Sequence, residues 1–391
     1  MTDERTGPST PPVTRRAALA GAGALGLAAL GACGPTSSGS TTPAGSPTPS
    51  GTPGSVGIVD QRGKRVTLPG PATRVVTVPM PAASLVVAVD GGVEHLVGMH
   101  QGSWTAMRDG ILGEFFPQLL DIAHEIATAD FTPNVESVVA LRPDVVAQWA
   151  DRGTGLTGPL ENAGLPVVGL RYGRQEDLDA WITLFATLLG REERGREIRS
   201  TMAASLAAVR ADQTTAPGPA PRVVYVNRFV EGLKVAARDT YNDFCIRLVG
   251  GSNPAADPGG VAAAGMVAVD VEQVVAWDPD VILLGNFDAA MPEDVYRSPA
   301  WRSLSAVRSR RVYKVPLGGY RWDPPSHESP LMWRWLAMVV HPGATGVELR
   351  AEVDRYYRLY YGRTPTAAQL RAVLWSQANA GSAHYEQFDV S

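Results

Sequence analysis

From residue 56 onward, short apolar runs alternate with stretches in which apolar residues recur at helical spacing. Each run is rich in β-branched residues and is bounded by Gly, Pro or Asp, which is typical of buried strands. The runs predicted to be strands are residues 74–78, 86–89, 145–149, 166–170, 222–227, 281–285 and 311–315. Strands that alternate with helices predict an α/β fold with parallel sheets.

One twelve-residue pattern occurs twice, as VESVVALRPDVV at 135–146 and as VEQVVAWDPDVI at 271–282. The two copies are identical at eight of the twelve positions. Each predicts a helix (135–141 and 271–276) that stops before Pro143 or Pro279, because the residue before a proline disfavours the helical conformation. A buried strand follows in both. The same unit in both halves of the chain predicts two similar Rossmann-like lobes.

Residues 175–211 show apolar positions at helical spacing, with Gly190 and Gly195 predicting a break between two helices. A long helical connection between two lobes is stiffer than a pair of extended strands. We therefore divide the chain into an N-lobe (56–174), a connecting helical segment (175–213) and a C-lobe (214–391), with a ligand cleft between the lobes.

The N-terminus has the pattern of an export signal. The pair Arg15-Arg16 precedes a short apolar run at 17–30, which is too short and too rich in glycine to span a membrane. A charged segment, a short apolar run and small residues predict a secretory signal over residues 1–33. The two arginines resemble a twin-arginine (Tat) signal.

The run ends in Leu30-Gly31-Ala32-Cys33, which resembles the lipobox of bacterial lipoproteins and implies that Cys33 is acylated. Residues 34–55 are almost entirely Gly, Pro, Ser and Thr, a composition that predicts a disordered tether. We therefore expect an extracytoplasmic protein that is anchored to the outer face of the cell membrane through Cys33.

Charge and cysteine content exclude nucleic-acid binding and an intrachain disulfide. The formal net charge of −4 leaves no basic field for nucleic acid. Apart from Cys33, the chain has only Cys245, so an intrachain disulfide in the folded part is excluded. Cys245 lies between Phe244 and Ile246, where we expect a buried and unreactive thiol.

The order of several motifs across residues 56–362 resembles the class III (cluster A) periplasmic binding proteins, which capture ferric siderophores, haem or cobalamin for ABC importers. The motifs are DQRGKRV at 60–66, the two repeats, LVGGSN at 248–253, PAWRSL at 299–304, and PSHE at 325–328 before an apolar helix at 331–340. The resemblance implies a monomeric substrate-binding lipoprotein whose partners are an ABC permease and, through it, ATPase subunits.

The resemblance also assigns a role to Glu136 and Glu272, one in each repeated helix. In the family, one exposed glutamate on each lobe docks onto arginines of the permease. A carboxylate in the first turn of a helix also complements the helix dipole, and both explanations hold together.

The loops that follow the strands are expected to line the cleft. The candidate ligand-binding residues are Met80, Trp104, Trp149, Arg152, Arg171, Tyr172, Asn227, Tyr241, Tyr320, Arg321 and Trp322. Aromatic rings give rigid contact area, and arginine binds carboxylate or other anionic oxygen. This mixture favours an anionic metal chelate, with a ferric siderophore first and haem or cobalamin as alternatives. We expect no resident cofactor and no protein-ligated metal.

The histidines and the absence of hydrolase motifs bear on two other possible functions. His100 lies in a cleft loop and is a candidate axial ligand if the cargo is haem. Glu328, after His327, is expected to cap the helix that follows. A secreted hydrolase is the rival function, but the sequence has no G-x-S-x-G, no P-loop, and Thr128 where H-E-x-x-H needs its second histidine. We therefore expect no enzyme activity.

Overall fold

The computed structural model describes residues 54–213, 219–344 and 346–389. The predicted signal peptide, Cys33 and the tether up to residue 53 lie outside the described residues. Residues Gly51–Ser391 form one unit by themselves. None of the helices in the described ranges is long and apolar enough to cross a membrane.

The first half of the described chain carries six strands and five helices of the N-lobe. They are β1 (Val56–Val59), β2 (Arg65–Leu68), β3 (Val75–Thr77), α1 (Met80–Asp90), β4 (Leu96–Met99), α2 (Gln101–Asp109), α3 (Leu112–Phe115), a 3-10 helix (Pro117–Asp121), α4 (Val135–Ala140), β5 (Val145–Trp149), α5 (Thr154–Asn162) and β6 (Val167–Leu170). β1 and β2 form an antiparallel hairpin. The other four strands form a parallel sheet in the order β4-β3-β5-β6.

Residues 86–89, predicted to be a strand, lie instead inside helix α1. Every residue from Pro81 to Val89 is buried, so the helix is apolar all round and shows no amphipathic period. A short apolar run of this kind has the same pattern in a buried strand and in a buried helix. The helix starts after Pro79 and ends at Gly91, whose φ of 83° closes the last turn.

The connecting segment consists of two helices, α6 (Gln175–Leu189) and α7 (Glu192–Gln213). The predicted break at Gly190 is confirmed, since Gly190 ends α6 in the left-handed conformation. The break at Gly195 is wrong, because Gly195 lies inside α7. A side chain there would place its Cβ 2.4 Å from the Cβ of Ala186. Gly195 therefore allows α6 and α7 to pack closely.

The second half carries the C-lobe sheet and the C-terminal helices. They are β7 (Val223–Arg228), β8 (Lys234–Ala236), α8 (Tyr241–Leu248), β9 (Met266–Ala268), α9 (Val271–Trp277), β10 (Val281–Leu284), α10 (Pro292–Arg297), α11 (Ser305–Arg308), β11 (Val312–Lys314), α12 (Ser329–Val340), α13 (Leu349–Tyr361), α14 (Ala367–Val373), α15 (Ser376–Asn379) and a 3-10 helix (Tyr385–Phe388). The sheet order is β11-β10-β7-β8-β9. β7, β10 and β11 are parallel as predicted, and β8 adds an antiparallel strand.

The two faces of this second sheet belong to different apolar cores. Val223 and Tyr225 join the large core that also contains the first sheet, α1, α6, α12 and α13. Val224 and Val226 join a smaller core on the opposite face, with Trp277 and Trp301. Successive side chains of a strand point to opposite faces, so a strand buried on both sides reads as an unbroken apolar run.

The sequence repeat is also a structural repeat. In α4 and α9 the N-cap side chains of Asn134 and Asp270 both accept the backbone N–H three residues on. Equivalent residues after the two helices, Arg142 and Asp278, both have positive φ, 47° and 40°. The chain can then turn at the following proline and enter β5 or β10.

An arginine and an aspartate fix this turn in both lobes. In the N-lobe, Asp144 accepts the backbone N–H groups of Thr73 and Arg74, and the Arg74 guanidinium donates to the Leu141 carbonyl at the end of α4. In the C-lobe, Asp280 accepts from the backbone and guanidinium of Arg222, which also donates to the carbonyl that ends α9. In both lobes the aspartate thus accepts the arginine's backbone N–H and the guanidinium donates to the carbonyl at the helix end, while the side-chain pair of arginine and aspartate forms in the C-lobe.

Candidate ligand-binding cleft

A cavity of about 560 Å³ is lined by residues from both halves of the chain. Its N-lobe wall comes from residues that follow β3, β5 and β6, and its C-lobe wall from β7, the start of α8 and the loop after β11. The lining residues are Met80, Pro81, Trp149, Arg152, Tyr172, Gly173, Tyr225, Asn227, Asp239, Thr240, Tyr241, Asn242, Gly265, Met266, Phe287, Tyr320, Asp323, Pro324 and Pro325. This is where ligands bind in open parallel sheets.

The N-lobe wall combines an arginine with stacked rings. The Arg152 guanidinium lies 4.6 Å from the ring centroid of Trp149 and 4.7 Å from that of Phe131. Arg152 is exposed and forms no ion pair with any described residue, so its charge is available to a ligand. Tyr172 continues the aromatic surface, with its ring centroid 5.8 Å from Trp149.

The floor of the cavity is a buried carboxylate that already has donors. Asp323 accepts from the Tyr225 hydroxyl at 2.6 Å and from the backbone N–H of Asn286 at 2.9 Å. Gly285 makes room for this arrangement, because a Cβ there would lie 2.1 Å from the Tyr225 hydroxyl. Asp323 therefore positions the Tyr225 phenol and the loop after β10.

The C-lobe wall presents two more phenols and a second arginine behind them. The Tyr241 hydroxyl accepts from the Trp333 indole N–H, and Tyr320 lines the cavity although it is buried from bulk solvent. The Arg321 guanidinium lies 4.8 Å from the Phe287 centroid and 5.5 Å from that of Tyr320. The pattern on this wall repeats that of Arg152, a guanidinium laid on aromatic faces.

Burial keeps the cavity phenols protonated. Loss of solvent raises the pKa of Tyr172, Tyr225 and Tyr241 well above 10, and that of Tyr320 above 10 as well. A neutral phenol donates and accepts hydrogen bonds but is a poor metal ligand. Among the described residues, no group of three or more His, Cys, Asp or Glu is placed to hold a metal ion. The cavity can bind a ligand through rings, phenols and guanidinium.

The loop from Leu317 to Glu328 joins the two lobes across the cleft. The Tyr172 hydroxyl donates to the Pro325 carbonyl at 2.7 Å, and the Ile111 N–H donates to the Gly318 carbonyl at 3.0 Å. Arg321 donates to the Gly102 carbonyl at 3.3 Å. Three bonds thus connect N-lobe residues to one C-lobe loop, which we call the bridging loop (residues 317–328).

Glu328 holds the bridging loop from inside the protein, and the expectation that it caps α12 is wrong. Its carboxylate makes no bond to the first turn of α12. It accepts from the Gly319 N–H at 3.0 Å, the Trp322 indole at 2.8 Å and the Tyr361 hydroxyl at 2.7 Å. Burial raises the pKa of Glu328 to about 7, although the three hydrogen-bond donors act in the opposite direction and favour the charged form.

Two adjacent glycines allow the carboxylate to reach the loop backbone. A Cβ at Gly318 would lie 2.2 Å from a Glu328 oxygen, and a Cβ at Gly319 would lie 2.2 Å from the Tyr361 hydroxyl. His327 extends the network, with its Nε2 2.6 Å from the same hydroxyl. Burial lowers the pKa of His327 to about 3, so this ring is neutral and donates through Nε2.

Seven of the eleven predicted ligand-binding residues lie on the cavity wall. They are Met80, Trp149, Arg152, Tyr172, Asn227, Tyr241 and Tyr320. Arg321 lies behind two wall residues. Contact of these residues with a ligand stays a prediction.

Three predicted residues lie away from the wall for identifiable reasons. Trp104 stacks on His124 with centroids 4.2 Å apart and donates to the Leu120 carbonyl. Arg171 turns back to the Gln61 carbonyl. Trp322 is fully buried and bonded to Glu328.

His100 is not available as an axial haem ligand. Its Nδ1 accepts the Gly102 N–H at 2.9 Å, and its Nε2 therefore carries the proton and faces the Thr128 carbonyl at 3.0 Å. Both ring nitrogens are thus used in capping α2 and fixing a neighbouring loop. Burial lowers the pKa of His100, which keeps the ring neutral.

Several wall residues were missed by sequence reasoning, above all Tyr225, Asp323 and Met266. Tyr225 lies within a strand run, where the pattern indicates core packing. Asp323 and the following Pro324-Pro325 come from the bridging loop, which carries no periodic signal. Met266 opens β9, a three-residue strand too short to be recognised.

A second cavity, of about 680 Å³, lies between the α2–α3 turn, α10 and the C-terminal helices α14 and α15. Its acidic residues Asp109, Glu114 and Glu293 are engaged by Arg108, Gln369 and Arg297, respectively. Loops that follow strands of both sheets meet at the first cavity, whereas the second cavity is lined mainly by helices. We therefore assign ligand binding to the 560 Å³ cavity.

The glutamates of the repeat, Glu136 and Glu272, are both exposed in the first turn of their helices. The structure thus places a solvent-facing carboxylate at the same position in each lobe. Docking by these residues stays a prediction.

Known proteins resemble the chain over nearly all its described length. A family model described as periplasmic binding protein matches residues 127–317. A periplasmic solute binding protein from Veillonella parvula is 30% identical with a TM-score of 0.76, over 83% of this chain and 98% of that chain. The molybdate-binding protein MolA of Haemophilus influenzae is 23% identical over 334 residues, 78% of this chain and 90% of MolA.

A third relative is the iron(3+)-hydroxamate-binding protein FhuD of Bacillus subtilis. It is 25% identical over 214 residues, which are 51% of this chain and 64% of FhuD. The match therefore spans less than two thirds of that protein. All three relatives are binding proteins by name, in agreement with the prediction of a chain without enzyme activity.

Proposed function

Since the chain belongs to the periplasmic binding protein family, and within it to the class III proteins, we propose that it is the lipid-anchored solute-binding component of an ABC importer. It captures an anionic metal chelate, with a ferric siderophore as the first candidate, and delivers it to a permease. The N-lobe ends at residue 174 and the C-lobe begins at residue 214. Glu136 on the N-lobe and Glu272 on the C-lobe dock onto that permease.

The observation that carries this proposal is the composition of the cavity wall. Six rings, those of Trp149, Tyr172, Tyr225, Tyr241, Phe287 and Tyr320, surround about 560 Å³. That volume suits a ligand of drug-like size and exceeds what a single ion needs. The exposed Arg152 supplies positive charge that no described residue neutralises. Asp239 and Asp323 also line the cavity, so the anionic part of the ligand is expected beside Arg152. A large, partly aromatic complex matches the size and the surface of the cavity.

The relatives bind different ligands, and the wall distinguishes among them. A compact oxyanion such as molybdate is too small to touch rings on both walls. Haem needs an axial ligand such as His or Tyr. His100 has both nitrogens bonded, and burial keeps the four cavity phenols protonated. A ferric siderophore brings its own iron ligands and needs only the surface that this cavity offers. Haem therefore ranks second, and cobalamin stays an alternative.

A fluorescence titration tests the proposal. The fragment from Gly51 onward, which forms one unit, is titrated with a ferric hydroxamate, a ferric catecholate, haem, cobalamin and molybdate. We expect quenching by a ferric chelate, because Trp149 lies on the wall. The Trp149→Phe variant should lose part of the signal while retaining binding.

Charge recognition is tested by Arg152→Ala, for which we expect an affinity about tenfold to a hundredfold lower for the ferric chelate. Arg302→Ala, which removes an exposed arginine away from the cavity, should bind as wild type. Silence toward all chelates would show the chelate proposal to be wrong. Binding of molybdate alone would assign the cavity to a compact oxyanion.

The anchor is tested separately. We expect the full chain to incorporate labelled palmitate and to fractionate with membranes, because acyl chains at Cys33 contribute about 0.8 kcal/mol for each buried methylene. The Cys33→Ser variant should be released and unlabelled. Membrane association of that variant would contradict the lipoprotein assignment without affecting the ligand proposal.

A further inference from the structure

The ligand cavity continues into a side groove of about 350 Å³. The two spaces form one continuous cleft, because the same residues line both of them where they meet. These shared residues are Gly173, Asp239, Thr240 and Tyr241. The groove runs between the start of α6 and the start of α8, and its other lining residues are Arg174, Gln175, Glu176, Asp243 and Phe244. A ligand in the cavity can therefore extend an arm into the groove.

The side groove carries an excess of negative charge. Asp239 and Glu176 are exposed, and neither carboxylate forms a hydrogen bond or an ion pair with any described residue. The third carboxylate of the groove, Asp243, is engaged by Arg247. The single cation in the lining is Arg174. Two unpaired carboxylates thus face one guanidinium, whereas the N-lobe wall of the cavity presents the positive charge of Arg152.

The fold fixes the position of Asp239 and gives its carboxylate no partner. Its backbone has a φ of 62°, a left-handed conformation that aspartate adopts more readily than most residues. On one side the Arg238 carbonyl accepts the Gly265 N–H at 2.9 Å, and on the other the Thr240 hydroxyl caps α8 by accepting the Asp243 N–H at 3.1 Å. The Arg238 guanidinium lines neither space and donates to a backbone carbonyl.

Complementing α8 does not require Asp239 either. Asp243 already places a carboxylate in the first turn of this helix, where it complements the helix dipole. The other carboxylate of the cavity, Asp323, is buried and bonded to the Tyr225 hydroxyl. Asp239 is therefore the cavity carboxylate that remains open to a ligand. An ammonium group beside it is attracted more strongly in a partly enclosed cleft than in open water, because less water screens the charges.

We infer that Asp239 is a specificity-determining residue, and that it and the side groove bind a cationic arm of the ligand. The inference rests on the proposed function and adds a requirement to it. The negative charge of the preferred chelate lies on its iron-bound oxygens, beside Arg152, and an ammonium group at the end of an arm occupies the groove. Glu176 assists by adding negative charge along the groove.

The test uses the full-length chain in detergent solution and three ferric chelates that differ only in the charge of one arm. They are ferrioxamine B, whose arm ends in a primary amine, its N-acetyl derivative, whose arm is neutral, and its N-succinyl derivative, whose arm ends in a carboxylate. In each, three hydroxamate groups balance the charge of Fe³⁺, so the iron centre is the same. Affinity is measured by quenching of tryptophan fluorescence.

We expect the wild type to bind the amine about tenfold more tightly than the acetyl derivative, and the succinyl derivative most weakly. The preference should shrink as the ionic strength is raised. Asp239→Asn keeps the size of the side chain and its tolerance of positive φ. It should bind the amine about tenfold more weakly and the acetyl derivative as wild type does. Glu176→Gln should lower the preference for the amine by a smaller factor.

Asp121→Asn is the matched control, because Asp121 is exposed and lines neither the cavity nor the groove. It should keep the wild-type affinities for all three chelates. The ratio of the amine and acetyl affinities in wild type and in Asp239→Asn forms a double-mutant cycle, which isolates the contact between arm and carboxylate.

Equal affinity of the wild type for the three chelates would overturn the inference. The same ratio in Asp239→Asn as in wild type would also overturn it, and equal weakening of amine and acetyl derivatives would assign Asp239 to the lobes rather than to the arm. Absence of binding by all three would overturn it as well, while the proposed function stands if another chelate binds. If no chelate binds, the proposed function itself fails.

Discussion

Replacing Glu328 by glutamine tests the buried network that holds the bridging loop. Glutamine has the shape of a protonated glutamate and carries no charge at any pH. In the wild type, burial raises the pKa of Glu328 from 4.5 to about 7. The folded protein therefore holds a proton on this group between about pH 4.5 and 7, where the unfolded chain has released it.

The sign and size of the effect follow from this difference in bound protons. Stability from burying the neutral carboxyl is complete below pH 4.5 and is lost as the pH rises through 7. At about 1.4 kcal/mol for each pH unit, the loss is about 3 kcal/mol. Glutamine does not titrate, so the Glu328→Gln variant does not lose this stability. Its free energy of unfolding relative to that of wild type should therefore rise by about 3 kcal/mol as the pH increases from 4 to 8. His327 is present in both proteins, so its own titration largely cancels in the comparison.

The assay is urea unfolding of the fragment from Gly51 onward at several pH values and constant ionic strength, followed by tryptophan fluorescence. The quantity compared is the free energy of unfolding of Glu328→Gln minus that of wild type. Glu136→Gln, at an exposed helix position, reports any effect of the amide itself. A difference that stays constant from pH 4 to pH 8, or that falls, would refute the reasoning.

Two further predictions concern small buried groups. Gly285→Ala should lower the free energy of unfolding by about 2 kcal/mol and weaken ligand binding, because its methyl group would displace the Tyr225 hydroxyl from Asp323. Urea unfolding measures the loss of stability. Gly155→Ala, whose methyl group would lie in open space on α5, is the control and should be neutral or stabilising. Burial raises the pKa of Cys245 to about 12, so the folded fragment should not react with a thiol reagent at neutral pH, whereas the guanidinium-unfolded fragment should react with one equivalent. Rapid reaction of the folded fragment would contradict this.

The repeat was the most informative part of the sequence because its signals are local. An N-cap, a proline and a β-branched run each act over a few residues, and together they predicted α4, β5, α9 and β10 closely. Helix α1 was not predictable in the same way. Its apolar run has no period, since sheet and helices surround it on every side.

The cleft was only partly predictable, for a different reason. Residues directly after strands, such as Trp149 and Tyr172, could be placed at the carboxyl edge from topology alone. Asp323 reaches the cavity through the path of the bridging loop, and that path is set by Glu328, Gly318 and Gly319. A carboxylate before an apolar helix resembles a cap in sequence, and only the packing of α13 against it shows that it is buried.

The bridging loop also bears on how the protein releases its ligand. Its bonds to Tyr172, Ile111 and Gly102 connect both lobes near the cavity. A wide opening would have to break all three, each contributing about 1 kcal/mol net, while Glu328 keeps the loop itself fixed. Small lobe movements are therefore favoured over large ones, so ligand affinity depends mainly on a wall that exists before binding.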